Sequence, residues 1–178
     1  MSFIYDITKS KTMYDSFPMP NRDSGLVHPY LKYLCDLLSA NCLRKYKIIV
    51  KWSNCGRSWK YQDQVYAQGR TLPGKIVTPC RGGFSMHNYG LAADFYIDGV
   101  KGTIYPPHQV QIITAEAKLM GFTCGAFFST PDPDHLQWTG KLTDKQIEAG
   151  KVPVVTDPTY LKLQLNAKYG IAAAGMKP

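Results

Sequence analysis

The chain is poor in the features that mark several protein classes. Its five cysteines (Cys35, Cys42, Cys55, Cys80 and Cys124) are odd in number and include no CxxC pair. That pattern gives no disulfide framework and little support for a thiolate metal cluster, so they read as reduced thiols. No apolar run approaches the ~20 residues of a membrane span, so no stable membrane insertion is expected. The first residues lack the basic-then-apolar order of a secretory signal, which points to synthesis in the cytoplasm without a signal peptide. There is no internal repeat, and no helix-turn-helix, zinc-knuckle or RNA-recognition pattern, so nucleic acid is discounted as a partner. Acidic residues are scarce, 13 against 21 basic ones, giving a net charge of +8. A balance of that sign favours an anionic partner, and charge alone does not choose between a cell-wall polymer and a membrane surface. Histidine is rare too, with four in the chain.

What is present fits one domain. A chain of 178 residues, 44% hydrophobic and 19% charged, can build a single core. Residues 1–22 mix Tyr, Pro, Lys and Asp without period and read as a loosely structured arm. Residues 23–140 form the core region, and 141–178 a helical extension. Ser24 is a candidate cap for a helix to about Lys45, with Leu31, Leu34, Cys35, Leu38 and Leu43 as its buried stripe. Residues 47–52 read as a strand, and Ser58 starts a second helix ended by Gly69. Residues 70–84, rich in Gly, Pro and Lys, read as a long loop of the kind that often serves function. The two prolines at 106 and 107 open a helix to about Met120, and residues 122–128 form a strand candidate. Thr143 caps a short helix, and Thr156-Asp157-Pro158 starts a last one that ends near Gly170, before a frayed tail. The fold class expected is α+β, a small antiparallel sheet with flanking helices.

Two stretches carry the chemistry. The first is Ser85-x-His87-x-x-Gly90-x-Ala92-x-Asp94, and the second Asp132-Pro133-Asp134-His135-Leu136-Gln137-Trp138. Asn88 to Gly90 read as a turn, and residues 91–98 as a strand. Alternation puts Ala92, Asp94 and Tyr96 on one face and Leu91, Ala93, Phe95 and Ile97 on the other, towards the core. His135 and Gln137 share a face of a second strand. Each of these residues alone is usually an ordinary polar residue. Together, two imidazoles and a carboxylate make the donor set of a catalytic zinc site with a position left open. His28 and His108 lie outside both stretches and read as structural.

These residues resemble the zinc DD-peptidase family, which includes VanY-type D-alanyl-D-alanine carboxypeptidases and L-alanyl-D-glutamate endopeptidases of phage. The likeness covers residues 55–138 and is nearest to the endopeptidase branch. It implies a hedgehog/DD-peptidase-like fold with Zn²⁺ held by His87, Asp94 and His135. It further implies Asp132 as general base, with Asp134 as its rival, and Arg57 as the cation that stabilises the oxyanion. Gln62 either orients Arg57 or contacts substrate, and Ser85 and Arg70 are further candidate substrate contacts. The partner implied is bacterial peptidoglycan, met by a monomer and reached as phage endolysins reach it, through a holin. Alternatives are a D-alanyl-D-alanine carboxypeptidase and a non-catalytic, zinc-containing binding module on the same fold.

Overall fold

The structure is a computed structural model that describes residues 4–99 and 105–169. The helix stop expected at Gly170 and the tail at 171–178 lie outside the described residues. Four antiparallel strands stand in the order β1-β2-β4-β3. They are β1 (Val50–Asn54), β2 (Ala92–Ile97), β3 (Thr123–Cys124) and β4 (His135–Gln137). The helices are α1 (Pro29–Tyr46), α2 (Trp59–Ala67), α3 (Pro107–Leu119), α4 (Asp144–Glu148) and α5 (Pro158–Tyr169). This is the α+β arrangement expected, and none of the described helices is long and apolar enough to cross a membrane.

The core lies on one face of the sheet. Leu31, Leu34, Cys35 and Leu38 of α1 and Ile113 and Ala117 of α3 cluster with Ala93, Phe95 and Leu136 of the sheet. The alternation read in β2 holds: Ala93, Phe95 and Ile97 are buried, while Asp94 and Tyr96 are half-buried on the other face. Register then fixes the site, because Asp94 lies opposite His135 and Ala92 opposite Gln137. On the other side Asp94 pairs with Asn54, across an irregularity in β1 after Trp52.

Four expectations change. The first helix starts at Pro29, not near Ser24. Its cap is His28, whose Nδ1 accepts the Tyr30 N–H, while residues 24–26 form a separate 3-10 turn. The strand expected over 122–128 stops at Cys124, and residues 125–127 turn into a 3-10 helix. The cause is local: the Gly125 carbonyl accepts both the Asp132 and the Phe128 N–H, so the chain folds on itself instead of pairing. The turn expected at residues 88–90 is the end of a 3-10 helix, Met86–Tyr89, followed by Gly90 at a positive φ of 64°.

The fourth is the arm. Residues 4–22 are not loose. Tyr14 is wholly buried and donates to the Leu26 carbonyl at 2.6 Å. Tyr5 donates to the Tyr89 carbonyl at 2.7 Å, and the Asn21 carbonyl accepts the Cys55 N–H at 2.7 Å. Aromatic rings that bury singly leave no periodic trace, which is why the sequence pattern hides them. Gly90 is required twice here, since its φ belongs to the left-handed region and a Cβ would press on the Tyr14 hydroxyl and the Tyr5 ring.

Candidate active site

The 3-10 stretch returns His87 over the polar face of the sheet, where it meets Asp94 and His135. His87 Nε2 lies 3.0 Å from Asp94 Oδ1 and 3.1 Å from His135 Nδ1. His135 Nδ1 is 3.2 Å from the same Asp94 oxygen. Both imidazoles are buried. These three are the described His, Cys, Asp and Glu residues grouped closely enough to share an ion.

The far side of each group is also held. His87 Nδ1 is 2.8 Å from the Cys55 carbonyl, which can only accept, so that nitrogen carries the proton and Nε2 presents a lone pair. His135 Nε2 is 3.1 Å from Gln137 Oε1. The Gln137 amide nitrogen donates to Asp144 Oδ1 at 3.0 Å, and a carboxylate can only accept. That fixes the amide's orientation, so its oxygen faces His135, Nε2 carries the proton and Nδ1 presents a lone pair. Asp94 Oδ2 accepts from Asn54 at 3.0 Å and lies 3.5 Å from an Arg57 nitrogen. The result is three lone-pair atoms converging at 3.0–3.2 Å with nothing but each other to face. A single buried acceptor without a donor costs about 1–3 kcal/mol, so three together call for a cation or a proton. Ligands on a tetrahedral zinc at ~2.0–2.1 Å stand about 3.3 Å apart, close to the triangle found. The residues fit the group.

The electrostatics agree. Burial works to raise the Asp94 carboxyl, but the charge and hydrogen bonds of the two imidazoles outweigh it and hold it well below the usual carboxylate range. Burial lowers His87 despite Asp94. Burial also works against protonating His135, yet the hydrogen bond and charge of Asp94 raise it. Without a metal, the hydrogen bond and charge of Asp94 thus favour a proton on His135. Binding a cation displaces it.

Around this centre the other sequence candidates divide. Arg57 is buried and donates to Gln62 Oε1 at 2.8 Å. Burial pulls its pKa down, and the Asp94 charge opposes this. Gln62, wholly buried, also donates to the Cys80 carbonyl at 2.8 Å. It therefore orients Arg57 and pins the 70–84 loop beside it. Asp132 is exposed at the rim, where its charge is felt by both Arg57 and His135. Asp134 is turned aside to accept the Tyr105 hydroxyl at 2.9 Å. Burial and the Asp94 charge push it up to about 6. Ser85 precedes the 3-10 stretch, half-buried, with no capping bond from its hydroxyl. Arg70 is committed elsewhere. It donates to the Tyr66 and Thr78 carbonyls and stacks 3.8 Å over the Tyr66 ring, stapling the loop instead of facing the three converging atoms.

Sequence reasoning missed Asn54, the Cys55 carbonyl and Asp144. Asn54 and Cys55 fall between the strand and the helix read there, and strand register was the signal that could have found them. Asp144, seven residues past Gln137, gave none. Trp138 belongs to an aromatic group with His28 and Tyr30. All five cysteines are free thiols.

No family model matches the chain. It is 41% identical over 103 residues to the peptidoglycan L-alanyl-D-glutamate endopeptidase CwlK of Bacillus subtilis (strain 168). That alignment covers 58% of this chain and 59% of the relative, so the chain spans about three-fifths of the length of this curated relative. CwlK is of the endopeptidase branch that the paired motifs resemble. Two solved structures are similar at a TM-score of 0.48. One is the Serratia marcescens L-Ala D-Glu endopeptidase ChiX, 19% identical, covering 68% of this chain and 84% of that one. The other is the LdcB LD-carboxypeptidase, 22% identical, covering 82% and 77%.

Proposed function

We propose that this chain is a zinc-dependent peptidase of bacterial peptidoglycan that hydrolyses the L-alanyl-D-glutamate bond of the stem peptide. The observation that carries the metal is the convergence of three lone pairs whose tautomers are fixed from behind. The substrate class rests on the likeness to CwlK, and the basic charge of +8 suits an anionic wall. Service as an endolysin of phage type, reaching the wall through a holin, belongs to the same proposal. It is supported by the likeness of the motifs to the phage branch.

His87, Asp94 and His135 would hold the zinc, which when bound polarises a carbonyl and acidifies water. The remaining chemistry falls to the chain. Asp132, at the rim, accepts the proton of the attacking water as the new C–O bond forms. It delivers that proton to the amine nitrogen as the C–N bond breaks. Arg57 sets its guanidinium beside the site to take up charge developing on the carbonyl oxygen, and Gln62 keeps it aimed there. Burial makes this donor strong, because little water screens it.

Metal analysis combined with mass spectrometry of digested wall tests the reading. One zinc per chain and new amino-terminal D-glutamate are expected. Released D-alanine would replace it with a carboxypeptidase, and bound zinc without any product would leave a binding module.

A further inference from the structure

We infer that Phe128 sets the specificity of the site by providing the apolar wall for the alanyl methyl group beside the scissile bond. The inference rests on the endopeptidase reading above.

Phe128 follows the 3-10 turn Gly125–Phe127 and lies against the candidate metal centre, its ring 5.7 Å from that of His135. It stays 36% exposed, so His135 covers only part of its surface. Its N–H and that of Asp132 bond to the same Gly125 carbonyl, at 3.0 and 2.9 Å. One backbone oxygen thus positions both the proposed base and the neighbouring ring. The rest of the centre is polar: two imidazoles, the Asp94 and Asp132 carboxylates and the Arg57 guanidinium. A part-exposed phenyl ring is the exception among them. A substrate apolar group gains by covering such a ring.

At an alanyl-glutamyl bond one flanking side chain is apolar and the other is a carboxylate. The carboxylate is repelled by Asp132 and by the electron-rich face of the ring. The methyl is the group that the ring can take. Beside it Phe127 is 62% exposed, but Lys118 sits 3.9 Å over its ring, so that ring already has a partner.

The test is a series of short peptides in which the residue before D-glutamate is Ala, Gly or Ser, cleaved by the zinc-loaded protein. Wild type should favour Ala over Gly by about fourfold in kcat/KM, the worth of one buried methyl, and should disfavour Ser. In Phe128→Ala the Ala-to-Gly ratio should fall to about one, with zinc affinity unchanged. Phe128→Leu should keep the preference. An undiminished ratio in Phe128→Ala would refute the role. An equal loss on all three peptides, or loss of zinc, would also refute it and make the ring a packing element. Wild type that binds zinc yet cleaves none of the peptides would overturn the endopeptidase reading, and the inference with it.

Discussion

Asp132 and Arg57 are close enough to the candidate metal centre to act electrostatically, but neither is among its three converging side chains. That separation makes them separable by experiment. Asp132→Ala should lower kcat on purified wall by about 10²–10⁴-fold, the usual worth of a general base, while zinc content stays at the wild-type level. Unchanged lysis would remove Asp132 from the mechanism and turn attention to Asp134. Arg57→Lys should also be costly, by about 10²-fold or more, because an ammonium cannot donate to Gln62 and reach the substrate with one fixed geometry. A variant with kcat near wild type would reduce Arg57 to a partner of Asp94. At this scale the sequence was highly legible. The three converging side chains come from motifs whose spacing encodes a turn and a strand face. The supports behind them were not legible, because a backbone carbonyl such as that of Cys55 leaves no mark in a residue pattern.

Among the elements, β2 was readable because one face is packed more fully than the other, so burial alternates from Ala93 to Ile97. The 122–128 segment was not, since its strand is cut short where the Phe128 and Asp132 N–H groups fold back onto the Gly125 carbonyl, a local bond that composition cannot announce. The start of α1 was misplaced for a related reason: histidine is an uncommon cap, and it works here only with a neutral Nδ1. Burial lowers the His28 pKa to about 4, beneath the ordinary ~6.5. The unfolded chain therefore takes up the proton first. Stability is fully present above pH ~6.5 and is lost as the pH falls towards about 4. The loss is about 3 kcal/mol at most, and roughly 1–2 after solvent screening. His28→Asn keeps a side-chain acceptor and should flatten the decline between these pH values, as urea titrations across that range would show. An identical slope in the variant would assign the acid sensitivity elsewhere. The same reasoning applies to the link from β4 to α4. Asp144→Ala frees the Gln137 amide and, through it, His135. Zinc affinity should fall about 10–100-fold with secondary structure intact, measured by competition with a chromogenic chelator. Wild-type affinity would show that His135 needs no brace.

For the molecule as a whole, the centre ties the N-terminal arm, two non-adjacent motifs and α4 to one point. Removing the metal should therefore be felt globally. At zinc a hundredfold above its dissociation constant, binding adds about 2.7 kcal/mol to stability. For a chain of this size that is roughly 5–10 °C in Tm. Scanning fluorimetry with and without a chelator measures it, and Asp94→Asn should show a much smaller difference. An equal difference in that variant would place the stabilising ion elsewhere. The docking of the arm beneath Gly90 was not legible, because it depends on lone tyrosines. The Gln137–Asp144 bond has one more consequence. The second motif ends at Trp138, yet the wiring of His135 reaches six residues beyond it. A chimera spliced at residue 140 would keep every recognisable signature and still inherit a loosened imidazole. For anyone shuffling such modules, the junction belongs after α4.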